Sequence, residues 1–176
     1  MTPGSGGSAG PAVLTLFDFS AESQPWPSID DVVMGGRSSS AMEIEKGMAV
    51  FAGEVSLADG GGFASVRSLA RPHDLSAYSG ILLRVRGDGK RYGLRLRTDR
   101  RFDGVNYQAF FGTRPGICEE IRLPFEAFRP VLRGRTLQDW PELDRSAVQT
   151  FGLIIAGRQE GPFRLEIDWI RAYPGP

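Results

Sequence analysis

The stretch Ile81–Thr98, ILLRVRGDGKRYGLRLRT, consists of two short runs in which apolar residues alternate with arginines. A period of two is typical of a β-strand that turns one face to a core and the other to solvent. The GDG between the runs favours a tight turn, because Asp-Gly tolerates the positive φ that such a turn requires. The stretch therefore predicts two strands joined in a β-hairpin.

The same pattern recurs along the rest of the chain. The strand-like runs are LTLFDF, AMEIE, MAVFAGEVSL, FASVRSL, ILLRVRG, YGLRLRT, NYQAFFGT, EEIRLP, TFGLIIAG and FRLEIDWIRAY. Turn material such as EKG, ADGGG and RQEGP separates them. Only Leu137–Ser146 suggests a turn or a short helix. Many short strands without alternating long helices predict an all-β fold, an antiparallel β-sandwich or barrel.

The two ends of the sequence differ in composition. Residues 1–12 are mostly glycine, serine, proline and alanine, so we expect a flexible tail there. Residues 13–176 are long enough to enclose a core, and we expect them to form a single domain.

Composition also bears on the compartment. No run approaches the roughly eighteen apolar residues of a membrane span, and no charged start leads into an apolar segment as in a secretory signal. The single cysteine, Cys118, cannot form an internal disulfide. We therefore expect a cytoplasmic protein without a transmembrane segment; a peripheral association with a membrane complex is left open.

Charge and residue inventory exclude several classes of function. The 21 basic and 21 acidic residues balance, whereas nucleic-acid binders usually carry a basic excess. One histidine and one cysteine cannot assemble a Cys/His zinc site. A Ser–His–Asp triad would have to use His73, which no nucleophile-elbow sequence accompanies. We expect no nucleic-acid partner, no cofactor and no catalytic residues.

Arginines stand out among the polar residues of the middle strands. If the strands around Ile81–Thr98 are neighbours, one outer face of a sheet carries Arg67, Arg84, Arg86, Arg95 and Arg97, with Ser65 beside them. Such a face is either a solvated surface with ion pairs to acids such as Glu120, or a binding face for an anionic or hydroxyl-rich partner, where arginine forks give direction.

A second candidate site is the stretch Asp30–Ser40, DDVVMGGRSSS. Gly35 and Gly36 allow a turn or a close approach of another backbone, and Asp30 and Asp31 are expected to accept hydrogen bonds from backbone N–H groups. The glycine-rich corner before FASVR is expected to pack against it. The stretch is either a structural brace or a recognition loop at the rim of the sandwich.

Two further acids could bind a metal ion. Asp168 interrupts the alternation of the last strand, where it could ligate a structural calcium together with Asp18 from the first. The alternative is a plain solvent-facing acid.

Several of these segments together resemble a known family. Trp26, IDDVVMGGRSSS, FAGEVSLADGGGFASVRS, GDGKRYGLRLRT, RLPFEAF and GPFRLEIDWIRAY occur in the order found in the complex I intermediate-associated protein 30 family. The resemblance covers roughly Leu16–Tyr173. It implies a jelly-roll β-sandwich of two antiparallel sheets like galactose-binding and carbohydrate-binding modules. For mitochondrial members it implies a role in assembling NADH:ubiquinone oxidoreductase.

The residues and the resemblance together predict a non-catalytic binding or assembly module that acts through protein–protein interaction, with a respiratory-complex assembly intermediate as the suggested partner. The alternative is a carbohydrate-binding module, which exposed aromatic residues at Trp26, Trp140 or Tyr107 would favour. The candidate binding residues are Asp30, Asp31, Gly35, Gly36, Arg37, Ser38, Ser65, Arg67, Arg84, Arg95 and Arg97.

Overall fold

The computed structural model describes residues 12–20, 23–30, 36–101 and 103–175. Within them the strands are β1 Leu14–Phe17, β2 Ser39–Glu45, β3 Met48–Val55, β4 Ala64–Arg67, β5 Gly80–Arg86, β6 Arg91–Arg97, β7 Asn106–Gly112, β8 Cys118–Pro124, β9 Arg129–Leu132, β10 Arg135–Thr136, β11 Thr150–Ile155 and β12 Gly161–Tyr173. Short 3₁₀ turns occupy Ala58–Gly60, Phe125–Ala127 and Arg145–Ala147.

The strands form two antiparallel sheets. Sheet I has the order β2-β3-β12-β5-β8, with β1 paired to β12. Sheet II has the order β10-β9-β7-β6-β11-β4. The predicted all-β sandwich of two antiparallel sheets is confirmed.

The core lies between the inner faces of the two sheets. On β6 of sheet II, Tyr92, Leu94 and Leu96 are buried. On β12 of sheet I, Phe163 and Leu165 are buried in the same core cluster. Each such side chain contributes about 1.5–3 kcal/mol by leaving water. The alternation of β6 and β12 therefore places their polar side chains mainly on the outer faces of the two sheets.

The predicted GDG hairpin is wrong. Gly89 has the expected positive φ of 94°, but the turn carries the chain from one sheet to the other. Strand β5 pairs with β12 and β8, whereas β6 pairs with β11 and β7. Asp88 fixes this corner by accepting hydrogen bonds from the Tyr92 hydroxyl and from the backbone N–H of Arg164. A local turn signal specifies the backbone of the turn and leaves the pairing partners of its strands open.

The other strand predictions hold. All ten strand-like runs of the sequence coincide with strands, and the 3₁₀ turn Arg145–Ala147 falls at the end of the predicted short helix. Strands β9 and β10 were not predicted, because RPVL and RT are too short to show a period. The predicted tail lies, except for residue 12, outside the described residues. Across the described part of the chain, no helix is long and apolar enough to cross a membrane.

Candidate functional site

The outer face of sheet II differs in charge from the rest of the sandwich. Its described strands contain Arg67, Arg91, Arg95, Arg97, Arg129 and Arg135, and no aspartate or glutamate. The strands of sheet I contain both arginines and acids. All acidic residues of the described strands therefore lie in sheet I, and arginine is the only charged residue type in the described strands of sheet II.

Strand register arranges part of this charge in a line. Gly152 on β11 lies opposite Arg67 on one side and Arg95 on the other. Arg95 lies opposite Gln108, which in turn lies opposite Arg129. Residues directly opposite each other in antiparallel strands project from the same face. We call these five positions, which cross sheet II from β4 to β9, the arginine row.

A narrow pocket opens between the first two arginines of the row. It is lined by Ser65, Val66, Arg67, Arg95, Arg97, Asn106, Thr150 and Gly152. Its floor is open because Gly152 has no side chain; a Cβ there would lie 2.9 Å from the Val66 carbonyl oxygen. The Thr150 hydroxyl is buried and has no hydrogen-bond partner among the described residues. The pocket thus combines cationic forks with a hydroxyl group.

Arg97 is buried beneath the loop that follows β6. Only 2% of its surface is exposed. Its Nη2 lies 3.1 Å from a carboxylate oxygen of Asp99 and donates a hydrogen bond to the Arg101 carbonyl. The loop can lie this close because residue 104 is glycine, where a Cβ would meet the Arg97 guanidinium. The fold therefore buries the Arg97 guanidinium at the outer face of sheet II and places the Asp99 carboxylate of the following loop beside it.

The arginines influence one another electrostatically. Burial, and then the charge of Arg97, lowers the pKa of Arg67 to about 10, although Asp99 partly opposes this. Burial, followed by the charges of Arg67 and Arg97, lowers the pKa of Arg95 to about 10. Arg67 and Arg95 remain cationic at neutral pH, and the Arg95 Nε donates to the Gln108 side-chain oxygen at 2.9 Å. Mutual repulsion within the cluster favours the approach of an anion.

The predicted five-arginine face is wrong in one respect. Arg67, Arg95 and Arg97 share the outer face of sheet II, but Arg84 and Arg86 belong to β5 in sheet I. There Arg84 lies 3.7 Å from Glu120 and 3.5 Å from Asp168. The error follows from the GDG corner, which separates β5 from β6. Arg84 therefore belongs to a surface with ion pairs to acids. The hypothesis of a binding face now concerns Arg67, Arg95 and Arg97 of sheet II.

The stretch Asp30–Ser40 acts as a brace where the structure describes it. The Asp30 carboxylate accepts hydrogen bonds from the backbone N–H of Ser65 at 2.9 Å and from the Ser40 hydroxyl at 2.5 Å. The Ser65 hydroxyl donates to the Ile29 carbonyl. Asp30 thus ties β2 of sheet I to β4 of sheet II; the packing expected between this stretch and the glycine-rich corner before FASVR stays a prediction. Ser65 works in the same brace.

Other residues of that stretch divide between brace and surface. Ser38 is buried, and its hydroxyl accepts from the backbone N–H of Ser56 at 2.9 Å. Gly36 is also buried. Arg37 is exposed and lies 2.6 Å from Asp59. Asp31 and Gly35 lie outside the described residues, so the conformation predicted for the glycine pair stays a prediction.

Residues 16–167 match the sequence profile of a protein family described as complex I intermediate-associated protein 30 (CIA30). The chain belongs to the CIA30 family. It is 32% identical over 108 residues to the mouse protein "Complex I intermediate-associated protein 30, mitochondrial", which covers 59% of this chain and 33% of the relative. It is 30% identical over 180 residues to the Drosophila melanogaster protein of the same name, covering 88% of this chain and 61% of the relative. The chain thus spans between one third and three fifths of the length of these two curated relatives.

The fold of this CIA30-family chain also occurs in sugar-binding proteins. A family 11 carbohydrate-binding module from Clostridium thermocellum, solved with a β-1,3-1,4-mixed-linked tetrasaccharide, superposes with a TM-score of 0.70. The alignment covers 93% of this chain and 96% of the module at 18% sequence identity. At that identity the likeness establishes the shared β-sandwich and nothing about the ligand.

Aromatic residues of the CIA30-family chain mostly serve the core. Trp26 and Tyr107 are buried, at 4% and 5% exposure, and the Tyr107 hydroxyl donates to the Pro141 carbonyl at 2.9 Å. Trp140 is 48% exposed and lines a wide groove beside β9. Of the three residues named as a sugar platform, Trp140 alone has an accessible side chain.

The two acids considered for calcium have other roles. Asp168 sits where the register between β12 and β5 shifts, and it pairs with Arg84. Asp18 accepts a hydrogen bond from the backbone N–H of Ser20 at 3.2 Å. The described residues contain no group of three or more acids, histidines or cysteines arranged to hold a metal ion. Two carboxylates fall short of the six to eight oxygens that calcium takes.

The sequence did not reveal Gln108, Arg129, Thr150 and Gly152 as parts of the site. Their place in the row depends on which strands pair, and a local pattern does not encode that. One signal was available, because acids occur in some strand-like runs and are absent from others. Sorting the runs by acid content assigns every one to its correct sheet except ILLRVRG, which contains no acid and yet belongs to sheet I.

Proposed function

We propose that this chain is a non-catalytic binding module that acts through protein–protein interaction, as a factor in the assembly of a respiratory-type complex. The observation that carries the proposal is the separation of charge between the sheets: sheet II offers arginines without acidic residues of its own strands. Complementary charge guides association and orients partners. Membership of the CIA30 family, named for an intermediate of complex I, supplies the biological setting.

The partner in this proposal is a subunit or an assembly intermediate of NADH:ubiquinone oxidoreductase. The cytoplasmic location expected from the sequence, peripheral to a membrane complex, belongs to the same proposal. The mouse and fly relatives are named as mitochondrial. Their names support an association with a respiratory complex and do not support the cytoplasmic location.

Affinity capture tests this function. The tagged full chain is expressed at its native level in the cells that produce it, and captured proteins are quantified by mass spectrometry against a tag-only control. We expect subunits of the respiratory complex to be enriched, and to be lost when Arg67 and Arg95 are both replaced by glutamine. Enrichment that is equal for wild type and the double variant, or confined to unrelated proteins, would contradict the proposal.

Carbohydrate binding is a second candidate, favoured by the exposed side chain of Trp140. Gln138, Asp139 and Glu142 line the same groove and could bond sugar hydroxyls. Affinity electrophoresis in gels containing mixed-linked β-glucan tests it directly. Retarded migration of the wild type, abolished by Trp140→Ala and unaffected by Arg95→Gln, would replace the protein-binding proposal with this one.

A further inference from the structure

The arginine row has regular dimensions. Neighbouring strands of a sheet lie about 4.8 Å apart. Arg67 and Arg95 are separated by one strand, as are Arg95 and Arg129. Successive arginines of the row are therefore about 9.6 Å apart across the sheet.

This spacing matches a repeat of an extended polypeptide. An extended chain of the polyproline II type rises about 3.1 Å per residue with three residues per turn, so residues three apart share one face about 9.3 Å from each other. A segment of this kind that crosses sheet II perpendicular to its strands would bring every third side chain opposite an arginine. Between the arginines, Gly152 leaves the surface open and Gln108 offers an amide.

The chemistry of the face favours a carboxylate. The cluster already binds one, because Asp99 lies 3.1 Å from Arg97. The pocket between Arg67 and Arg95 has room for about one water-sized atom, which suits a single carboxylate oxygen held by guanidinium forks. The buried Thr150 hydroxyl, without a partner among the described residues, is available as a further donor there. A row that spans five strands is also longer than any single small anion can use.

We propose that the arginine row recognises an extended acidic segment of the partner protein, with an aspartate or glutamate at every third position. This inference rests on the proposed function, since it names the kind of partner surface that the module binds. Arg95 holds the central carboxylate, and Arg67 and Arg129 hold those on either side.

Binding of synthetic peptides to the full chain tests the spacing. One fluorescent peptide carries aspartate at every third position in a serine and threonine background, and an isomer of identical composition carries its aspartates in a block. Anisotropy titrations should show the spaced peptide binding at least about tenfold more tightly, with affinity falling as salt is raised. Equal affinity of the two isomers would overturn the proposal.

Matched variants test the location. Arg95→Gln should weaken the spaced peptide by about tenfold, and Arg95→Lys should restore part of the loss because charge remains without the fork. Arg84→Gln removes the same charge from sheet I and should leave binding unchanged. If Arg95→Gln fails to fold by circular dichroism, the exposed Arg129→Gln gives the same comparison. Equal weakening by Arg84→Gln would overturn the assignment, since it would show a general charge effect.

Competition by phosphate tests another occupant, and comparison with the capture experiment separates failure of this inference from failure of the proposed function. Displacement of the peptide by inorganic phosphate, beyond that of sodium sulfate at equal ionic strength, would assign the row to phosphate and overturn the proposal. If neither peptide binds while arginine-dependent capture of respiratory subunits persists, the acidic-segment inference falls and the proposed function stands. If the spaced peptide binds as expected but capture yields no respiratory partner, the recognition chemistry stands and the proposed function falls.

Discussion

The outer faces of the two sheets carry arginines in the same alternating pattern and differ in what balances their charge. On sheet I, Arg84 lies near Glu120 and Asp168, and Arg164 lies 3.6 Å from Glu45 and 3.1 Å from Glu166. On sheet II the acid beside Arg97 comes from a loop, at Asp99.

The difference shows why a count of charged residues is a poor guide to function. The whole chain is neutral, with 21 basic and 21 acidic residues. The fold sorts these charges by strand, so that the strands of sheet I combine arginines with acids and the described strands of sheet II contain arginines without acids. Local balance, and not net charge, decides which face is available to an anionic partner.

The largest effect is expected where the two sheets are tied together. Asp30→Ala removes the acceptor of two hydrogen bonds, one to each sheet. Each bond contributes about 1 kcal/mol, and a buried donor left unsatisfied adds to the loss. We expect the free energy of unfolding to fall by about 2–3 kcal/mol in urea denaturation.

Asp59→Asn is the matched control for this brace, because Asn tolerates the positive φ of 53° at this position. Asp59 is a half-exposed acid that forms an ion pair with the exposed Arg37, and its removal should change stability by less than about 1 kcal/mol. Equal losses in the two variants would show that Asp30 is not a special tie between the sheets.

A smaller effect should separate the two faces directly. Asp99→Asn deprives the buried Arg97 of a carboxylate, and should lower the free energy of unfolding by about 1–2 kcal/mol because Asp99 is itself 41% exposed. Asp168→Asn removes a partner of Arg84, which is 43% exposed, and should cost less than about 0.5 kcal/mol.

Added sulfate sharpens this second comparison. An anion that enters the arginine cluster stabilises the folded state according to its affinity. We expect sulfate to recover more of the loss in Asp99→Asn than in Asp168→Asn, as measured by thermal denaturation at constant ionic strength. Identical recovery in the two variants would mean that the outer faces of the two sheets do not differ in their affinity for anions.

The sequence predicted the elements of this fold better than their partners. Each of the ten strand-like runs could be recognised by its composition and alternation, since burial of one face is a local requirement. The corner at Asp88 could not be distinguished from a hairpin, because both use the same positive φ at Gly89. From that one ambiguity came the incorrect grouping of Arg84 with Arg97. Asp30 was anticipated as a hydrogen-bond acceptor, but its donor at Ser65 is 35 residues away and follows from the tertiary fold.

A pH-dependent effect is expected at the edge of sheet II. Burial, followed by the positive charge of Arg71, lowers the pKa of His73 below its usual value of 6.5. The folded state therefore binds fewer protons than the unfolded state, and stability should be complete above pH 6.5 and decline as pH falls through the lowered pKa. His73→Gln should flatten the stability profile below about pH 6.5, measured by urea denaturation. A profile that is unchanged by the substitution would contradict this assignment.

The smallest effect on stability is expected from a substitution at Arg37. This variant tests whether the stretch DDVVMGGRSSS also serves as a recognition loop. The Arg37 side chain is 73% exposed and pairs with Asp59, so Arg37→Ala should change the free energy of unfolding by no more than about 0.5 kcal/mol. The brace includes Asp30 and Ser38, whose carboxylate and hydroxyl accept hydrogen bonds from the backbone N–H groups of Ser65 and Ser56. Loss of partner capture in Arg37→Ala, with an unchanged melting temperature, would extend the binding surface from sheet II to this rim. Unchanged capture would confine recognition to the arginine row, and a large loss of stability would contradict the exposed position of this side chain.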